Sequence, residues 1–533
     1  MTAETTPRAG RREWIGLAVL ALGALLYVMD LTVLHLAVPA ISADLQPSSA
    51  QLLWIIDIYG FFVAGSLITM GTLGDRIGRR RLLFVGAAAF GVVSLLAAFS
   101  TSAEMLIVSR ALLGIAGATL APSTLSLIFH MFQDPRQRSV AIGVWIGSFS
   151  AGSAIGPVLG GLTLEHFWWG SVFLLALPVM ALLLVLGPRV LPEYRDPEAG
   201  RLDLVSAAMS VAAILAVIYG LKQIAQDGMS AGPALIILAG LVIAVVFVRR
   251  QRRLADPMID VGLFRITAFN AALATNFLAI FVAVGYFLFI AQYLQLVVGL
   301  SPLEAGLWSL PSAFGFIVGS QFGPRIVGKF RPAFVIAGGL ALAAVGLAVL
   351  TQVGTSDGLV PLVAASLLIS LGLAPVFGLT TELIVGSARP EQAGAASGIS
   401  ETGAELGGAL GIAVLGSVGI AVYRAEVADR LPAAVPDGAA AIARDTLGSA
   451  VEVAGELPDR LGAAVIQTAR EAFVNGMQLS SAIAAVVAVG LAILALAMLR
   501  HHPTVSAEAP AGGDGDQAAI GDHELATADS GCA

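Results

Sequence analysis

Apolar runs of about twenty residues, separated by short polar segments, follow one another along almost the whole chain. A helix needs about 20 apolar residues to cross a hydrocarbon core about 30 Å thick. Fourteen runs meet that need and predict membrane-spanning helices at 14–38, 51–73, 82–100, 105–129, 140–161, 171–190, 204–222, 233–249, 270–296, 305–328, 333–350, 359–382, 395–422 and 475–499. The expected fold class is an all-α polytopic membrane protein. Composition agrees, since 57% of the 533 residues are hydrophobic and only 12% charged, against roughly 25% charged in a soluble domain.

The loops carry charge unevenly. With both termini in the cytoplasm, most of the 29 Lys and Arg fall on the inner side; the outer exceptions are Lys222, Arg424, Arg430, Arg444, Arg460 and Arg470. The last five share one long segment, where the positive-inside rule is weakest. The net charge of -7 owes much to Glu508, Asp514, Asp516, Asp522, Glu524 and Asp529 in the tail, and nothing points to nucleic acid as a partner. The single cysteine, Cys532, excludes an intramolecular disulfide.

Shifting the chain by about 255 residues lays Ala141, Gly143, Gly152, Ala154, Gly156 and Gly161 onto Ala396, Gly398, Gly407, Ala409, Gly411 and Gly416, as a repeated helix would require. The fifth and thirteenth helices are then partners in two six-helix halves, 14–190 and 270–499, with two inserted helices at 204–249. Residues 1–13 form an inner N-terminus and 500–533 a tail polar enough to be disordered. The stretch 423–472 is a long outer loop, either a helical hairpin or a mobile segment.

Inside the apolar runs lie Asp30, Asp57, Arg110, Glu401 and Glu405. A charge at the bilayer centre costs about 2.5–3.5 kcal/mol on insertion scales, so these must pair or face a wet cavity, as in proton-linked transport. At 1.5 Å per residue, Asp30, Asp57 and Arg110 share the outer half of the core, and Arg110 is in reach of either aspartate. Glu405 falls near mid-membrane. Glu401 lies one turn inward on the same face. At the shift of about 255 residues these two acids occupy the places of Ile146 and Ser150, so they are additions to a common packing helix.

After the second helix comes GTLGDRIGRRR, with Gly71, Gly74, Asp75, Arg76, Gly78, Arg79 and Arg80 in a short inner loop. Its glycines permit a tight turn and its charges can pair across helix ends. The second half carries a reduced copy, GPRIVGKFR, from Gly323 to Arg331, without the aspartate. Helix 5 reads GSFSAGSAIGPVLGG, with Gly152, Gly156 and Gly160 spaced for close helix approach and Pro157 able to bend the axis. Aromatics able to face a cation include Trp145, Phe149, Tyr286 and Phe316. Glu382 suits an interfacial place at an inner helix end, and His35 a packing one.

The GTLGDRIGRRR order resembles the loop signature of the major facilitator superfamily. Gly-Pro-x-x-Gly-Gly in helix 5 is similar to the signature of its proton-coupled antiporters, and Arg110 in SRALLGIAGA to its intramembrane arginine motif. With MDLTVLHLAVP at 29–39, WIIDIYG at 54–60 and SETGAELGGALG at 400–411, the chain resembles the fourteen-helix drug:proton antiporters of the Qac and Smv type from about residue 14 to 499. The resemblance implies a monomer in the bacterial cytoplasmic membrane that exports quaternary ammonium compounds and dyes by alternating access, driven by the proton gradient without a cofactor. Its partners would be organic cations, protons and the bilayer. It further implies that Arg110 sits beside Asp30 as the coupling switch. Asp57 is then freer to bind cation or proton, while Glu401 and Glu405 contribute to both tasks. It also implies a preference for monovalent cations, because Phe316 stands where dication exporters carry an acid. No Walker sequence, metal-ligand spacing or nucleophile motif occurs, so neither a metal site nor an enzyme is expected. The alternatives are an exporter of an endogenous metabolite or lipid on the same fold and, more distantly, a membrane sensor.

Overall fold

The computed structural model describes residues 8–47, 49–195, 203–228, 230–254, 257–327, 330–355, 359–389 and 392–499. The expected N-terminal residues 1–7 and the tail 500–533 lie outside the described residues, as do Gly328 and Lys329 of the reduced loop copy. Within the described residues the chain is helical, and thirteen helical segments are long and apolar enough to cross a membrane. The N-terminal half comprises α1 (Arg11–Leu45), α2 (Ser49–Ile77), α3 (Arg79–Ala98), α4 (Ala103–Gly117), α5 (Leu120–Met131), α6 (Pro135–His166), α7 (Ser171–Leu174) and α8 (Ala176–Val190). Two inserted helices follow, α9 (Leu204–Asp227) and α10 (Ala231–Gln251). The C-terminal half holds α11 (Thr267–Gln292), α12 (Pro302–Val327), α13 (Pro332–Leu350), α14 (Leu359–Gly386), α15 (Ala393–Gly411), α16 (Ser417–Arg430), α17 (Asp437–Ala443), α18 (Leu447–Ala454) and α19 (Asp459–Leu499).

Two predicted spans are broken where proline dictates it. Pro122 cannot donate to the carbonyl of Ala118, and the helix expected over 105–129 divides there into α4 and α5. Pro178 does the same to the carbonyl of Leu174 and separates α7 from α8. The span expected at 305–328 is α12, long enough to cross but more polar than the other thirteen, with Glu304, Ser312, Ser320, Gln321 and Arg325 along it.

The stretch expected as a loop over 423–472 is largely helical. α15 continues through a wider π-helical turn, Ile412–Gly416, into α16. α19 has 41 residues, roughly 60 Å at 1.5 Å per residue and about twice the hydrocarbon thickness. Its projecting first third packs with α16 and α18 through buried Val427, Leu447, Ala450, Val453, Val465 and Ala469. The Tyr423 hydroxyl donates to the Ala443 carbonyl at 2.7 Å, and Asn475 donates to Glu426 at 2.7 Å.

The repeat read from the sequence reappears as matched contacts. Gly152 and Gly156 of α6 lie against Leu25 and against Met29 and Thr32 of α1; Gly407 and Gly411 of α15 lie against Phe277 and Phe281 of α11. Gly143 meets the Ser320 backbone of α12 in the other half, and its repeat partner Gly398 meets Leu67 and Ile68 of α2. Each half thus offers its α6-type helix both to its own first helix and to the second helix of the other half. The inserted pair docks through α9, which packs on α2 and α15. α10 leaves Leu235, Leu238, Leu241 and Val245 exposed along its length, as suits a lipid-facing helix.

The contacts between halves gather at one end, the end that carries the Gly71–Arg81 loop. Ser320 on Gly143, Gly394 on Gly71 and Glu382 on Ser139 all lie there. Toward the opposite end the same helices turn to partners in their own half: α12 to α14 through Ser312 and Ser370 at 2.6 Å, α2 to α4 through Arg110 and the Ile55 carbonyl at 3.3 Å, and α6 to α1 through Gly160 and Val33.

Candidate functional site

Asp30 on α1 and Arg110 on α4 are joined by an ion pair of 2.5 Å, with the arginine side chain fully buried and the aspartate 8% exposed. The Arg110 Nε also donates to the Ile55 carbonyl, and the guanidinium lies 4.5 Å from the Tyr59 ring centroid. Every strong attraction of this buried cation is therefore to groups that α1 and α2 fix in place. The Tyr59 ring lies 6.3 Å from Tyr27, centroid to centroid, one turn before Asp30 on α1. The Tyr27 hydroxyl donates to Glu405 Oε1 at 3.1 Å across the two halves. Glu401 follows on the same face of α15, within electrostatic reach of both Glu405 and Tyr27. Both glutamates are half-buried. One chain of contacts thus runs from Asp30 through Arg110, Tyr59 and Tyr27 to the acid pair of the second half.

Asp57 departs from expectation. It forms an ion pair with Lys222 of α9, expected as an outer residue at the end of the span 204–222. α9 runs on to Asp227 rather than stopping at 222, so Lys222 is a helical residue facing α2. Asp57, expected to be freer than Asp30, is thus paired as well, with side-chain exposure of 25% against 8% for Asp30.

The expected aromatic residues separate. Phe149 is half-buried beside the acids, 6.1 Å from the Tyr27 ring. Trp145 is 2% exposed and its indole N–H donates to Thr124 at 3.0 Å, so it backs Phe149, 4.7 Å away, instead of presenting a face of its own. Tyr286 is buried within the C-terminal half, with Ser312 and Ser366 as hydroxyl partners. Phe316 on α12 is half-buried, 5.9 Å from Phe377. The side chains of Pro157 and His35 lie outside the described residues.

At the closed end the glycine-rich loop is tightly built. Gly78 has φ +111°, a conformation open to glycine, and turns the chain between α2 and α3 against Glu193. Arg79 is fully buried; it pairs with Asp75 and donates to the Gly71 carbonyl at 2.9 Å. Asp75 accepts the Ala395 N–H of α15 at 3.1 Å, one of the first-turn donors that a helix leaves free. Gly74 leaves room for Arg79, and Arg80 donates to the Leu191 carbonyl at 3.0 Å. Arg76 is half-buried. Glu382, expected in an interfacial place at a helix end, is largely covered at 14% exposure: it accepts from the Ser139 hydroxyl at 2.5 Å with Arg138 3.9 Å away, tying α14 to α6.

Tyr27, Tyr59 and Lys222 are the participants that sequence reasoning passed over. Tyr27 lies three residues before Asp30, hence on its helix face, and Tyr59 sits inside WIIDIYG. Lys222 ends an apolar run in a chain whose basic residues are nearly all arginine.

A membrane protein of two matched halves with charges at their junction is the class these observations define. The family model of the Major Facilitator Superfamily matches residues 20–412, and the chain belongs to that superfamily. It is 43% identical over 488 residues to the multidrug efflux pump LfrA of Mycolicibacterium smegmatis, covering 92% of this chain and 96% of that protein. To the methyl viologen resistance protein SmvA of Salmonella typhimurium it is 37% identical, covering 88% and 95%. A tetracenomycin C resistance and export protein of Streptomyces glaucescens is 34% identical, covering 93% and 94%. Among solved structures, the human organic anion transporter MFSD10 shares the fold at TM-score 0.61 and 16% identity, covering 91% of this chain and 99% of that one. The chain is therefore a multi-pass membrane transporter of the drug-efflux kind.

Proposed function

We propose that this transporter is a proton-coupled antiporter that exports lipophilic, mainly monovalent organic cations, among them quaternary ammonium compounds and dyes. The observation that carries the reading is the contact chain Asp30–Arg110–Tyr59–Tyr27–Glu405, which links an ion pair in one half to an acid pair in the other. Relatives that are multidrug efflux and methyl viologen resistance proteins support organic cations as the substrate class, and the preference for monovalent ones rests on Phe316.

In this mechanism a drug cation and protons compete for one negative cavity, because a nearby cation favours the charged carboxylate and a dry site disfavours it. With both termini in the cytoplasm of a bacterial cell, the closed end faces inward and the parted end outward. Protons then enter from the acidic side, neutralise the acids and expel the drug. Rocking of the halves that parts the Gly143–Ser320 and Gly71–Gly394 contacts opens the inner side. Energy comes from the proton gradient, with no cofactor, and one chain suffices.

The test is efflux of a fluorescent monovalent cation in inverted vesicles with an imposed pH gradient. Antiport predicts transport that a protonophore abolishes and ATP depletion leaves intact. Transport indifferent to the protonophore would refute it. The tetracenomycin exporter among the relatives favours a second reading, export of an endogenous metabolite. Failure of every organic cation to move, with pH-driven movement of a neutral polyketide, would establish that one.

A further inference from the structure

Lys222 sits in surroundings that chemistry associates with a bound ammonium ligand. Its Nζ pairs with the Asp57 carboxylate and lies 4.8 Å from the Phe61 ring centroid. Phe61 is one of three mutually packed aromatics: Trp54 stacks on Tyr219 at 6.2 Å with planes 9° apart, and Phe61 lies 6.0 Å from Trp54 and 6.3 Å from Tyr219. A carboxylate beside aromatic faces is how proteins hold alkylammonium groups. The pair is not enclosed by protein. Lysine and aspartate keep 30% and 25% of their side-chain surface uncovered by the chain. The lysine is also close enough to Glu405 to act on it electrostatically, which places the cluster beside the acid pair.

We propose that Asp57, Phe61, Trp54 and Tyr219 form an organic-ammonium subsite that Lys222 occupies as a tethered competitor, and that an incoming substrate cation displaces the lysine to bind there. The proposal rests on the cation-export reading and assigns it a specificity-determining residue. A tethered ammonium sets a threshold, since only a ligand that gains more from the aromatic faces than the lysine does can take its place. Lipophilic cations meet that condition and small hydrophilic ones do not. The retained positive charge also penalises a second charge on the ligand, which adds to the effect of Phe316 against dications.

The test measures binding of tetraphenylphosphonium and methyl viologen to the purified full-length protein and to Lys222→Gln, Lys222→Arg and Lys222→Gln/Asp57→Asn. Removing the lysine should tighten both ligands, methyl viologen by about tenfold or more, the effect of one unit charge at contact distance in a partly wet site. Lys222→Arg should stay within about twofold of the wild type, and Asp57→Asn should erase the gain. Unchanged or weaker binding by Lys222→Gln, with pH-driven efflux intact in the wild type, would overturn the subsite and leave the export reading standing. Absence of binding and of efflux in every form would overturn both. A measurement on the wild type is independent of how the variants fold. Lys222 and Lys329 are the lysines of the chain, so amine-reactive labelling followed by mass spectrometry can use Lys329 as reference. Saturating tetraphenylphosphonium should speed labelling of Lys222 relative to Lys329, and an unchanged or slower rate would count against displacement.

Discussion

The two halves carry their intramembrane charges differently. In the N-terminal half each acid has a basic partner: Asp30 has Arg110, and Asp57 has Lys222 from the inserted helix. In the C-terminal half Glu401 and Glu405 have no ion pair among the described residues, and Glu405 accepts from a tyrosine of the other half. The helices compared are otherwise alike, since α6 and α15 use repeat-related glycines for the same contacts and differ at Ile146 and Ser150 against Glu401 and Glu405. The difference separates two tasks. A paired acid is held in place and responds to protonation by releasing its partner, whereas an unpaired acid pair is available to a mobile cation.

The largest effect should follow from breaking the paired side. Asp30→Asn strands Arg110, fully buried, with no counter-charge, and removing one partner of a buried pair costs about 3–5 kcal/mol. We expect pH-driven efflux to vanish while membrane insertion persists. Wild-type efflux from Asp30→Asn vesicles would end the assignment of this pair as the switch. The double replacement Asp30→Asn/Arg110→Gln should recover thermal stability but not transport, which distinguishes a coupling role from mere support.

The unpaired side should behave as one unit. Glu401 and Glu405 are four residues apart, so their side chains project from one face about 6 Å from each other. Repulsion at that range favours sharing a proton until a cation arrives. Glu401→Gln and Glu405→Gln should each reduce proton release on drug addition to solubilised protein, and the double variant should lose little more than the worse single one. Undiminished release after both replacements would make the acids structural and move coupling to Asp30 and Asp57.

How much of this was readable beforehand differs between the regions. The spans, the repeat and the Asp30–Arg110 neighbourhood follow from hydrophobic length, glycine spacing and a recognisable motif order, all properties of single segments. The Asp57–Lys222 pair was not readable, because it depends on where α9 ends. A lysine at the close of an apolar run is equally a loop residue or a helical one that meets α2, and only packing decides. The same holds for Glu382, whose partners Ser139 and Arg138 are more than 240 residues away. The helical build of 423–472 was undecided for a related reason: alanine-rich segments form helices only where a neighbour covers them, and that neighbour is the long projecting part of α19.

A moderate effect should come from giving the C-terminal half one more acid. Phe316 is half-buried on α12, on the same half as the glutamates. Phe316→Asp should improve export of methyl viologen relative to a matched monovalent cation, and resistance assays read the ratio. If the wild type already exports both equally well, charge selectivity is not set by this position.

The smallest effect should come from the hydrogen bond between Tyr27 and Glu405, which links the Asp30–Arg110 pair to the acid pair. Tyr27→Phe removes the hydroxyl that donates to Glu405 at 3.1 Å and keeps the ring that packs on Tyr59 and Phe149. A hydrogen bond to a charged group contributes about 1.5–3 kcal/mol when buried and intact, and Glu405 is only half-buried, so the lower end applies. The change should therefore slow efflux only a few-fold, with cation affinity kept. Efflux that falls to nothing would mean that Tyr27 acts through the packing of its ring on Tyr59 and Phe149 and not through the carboxylate.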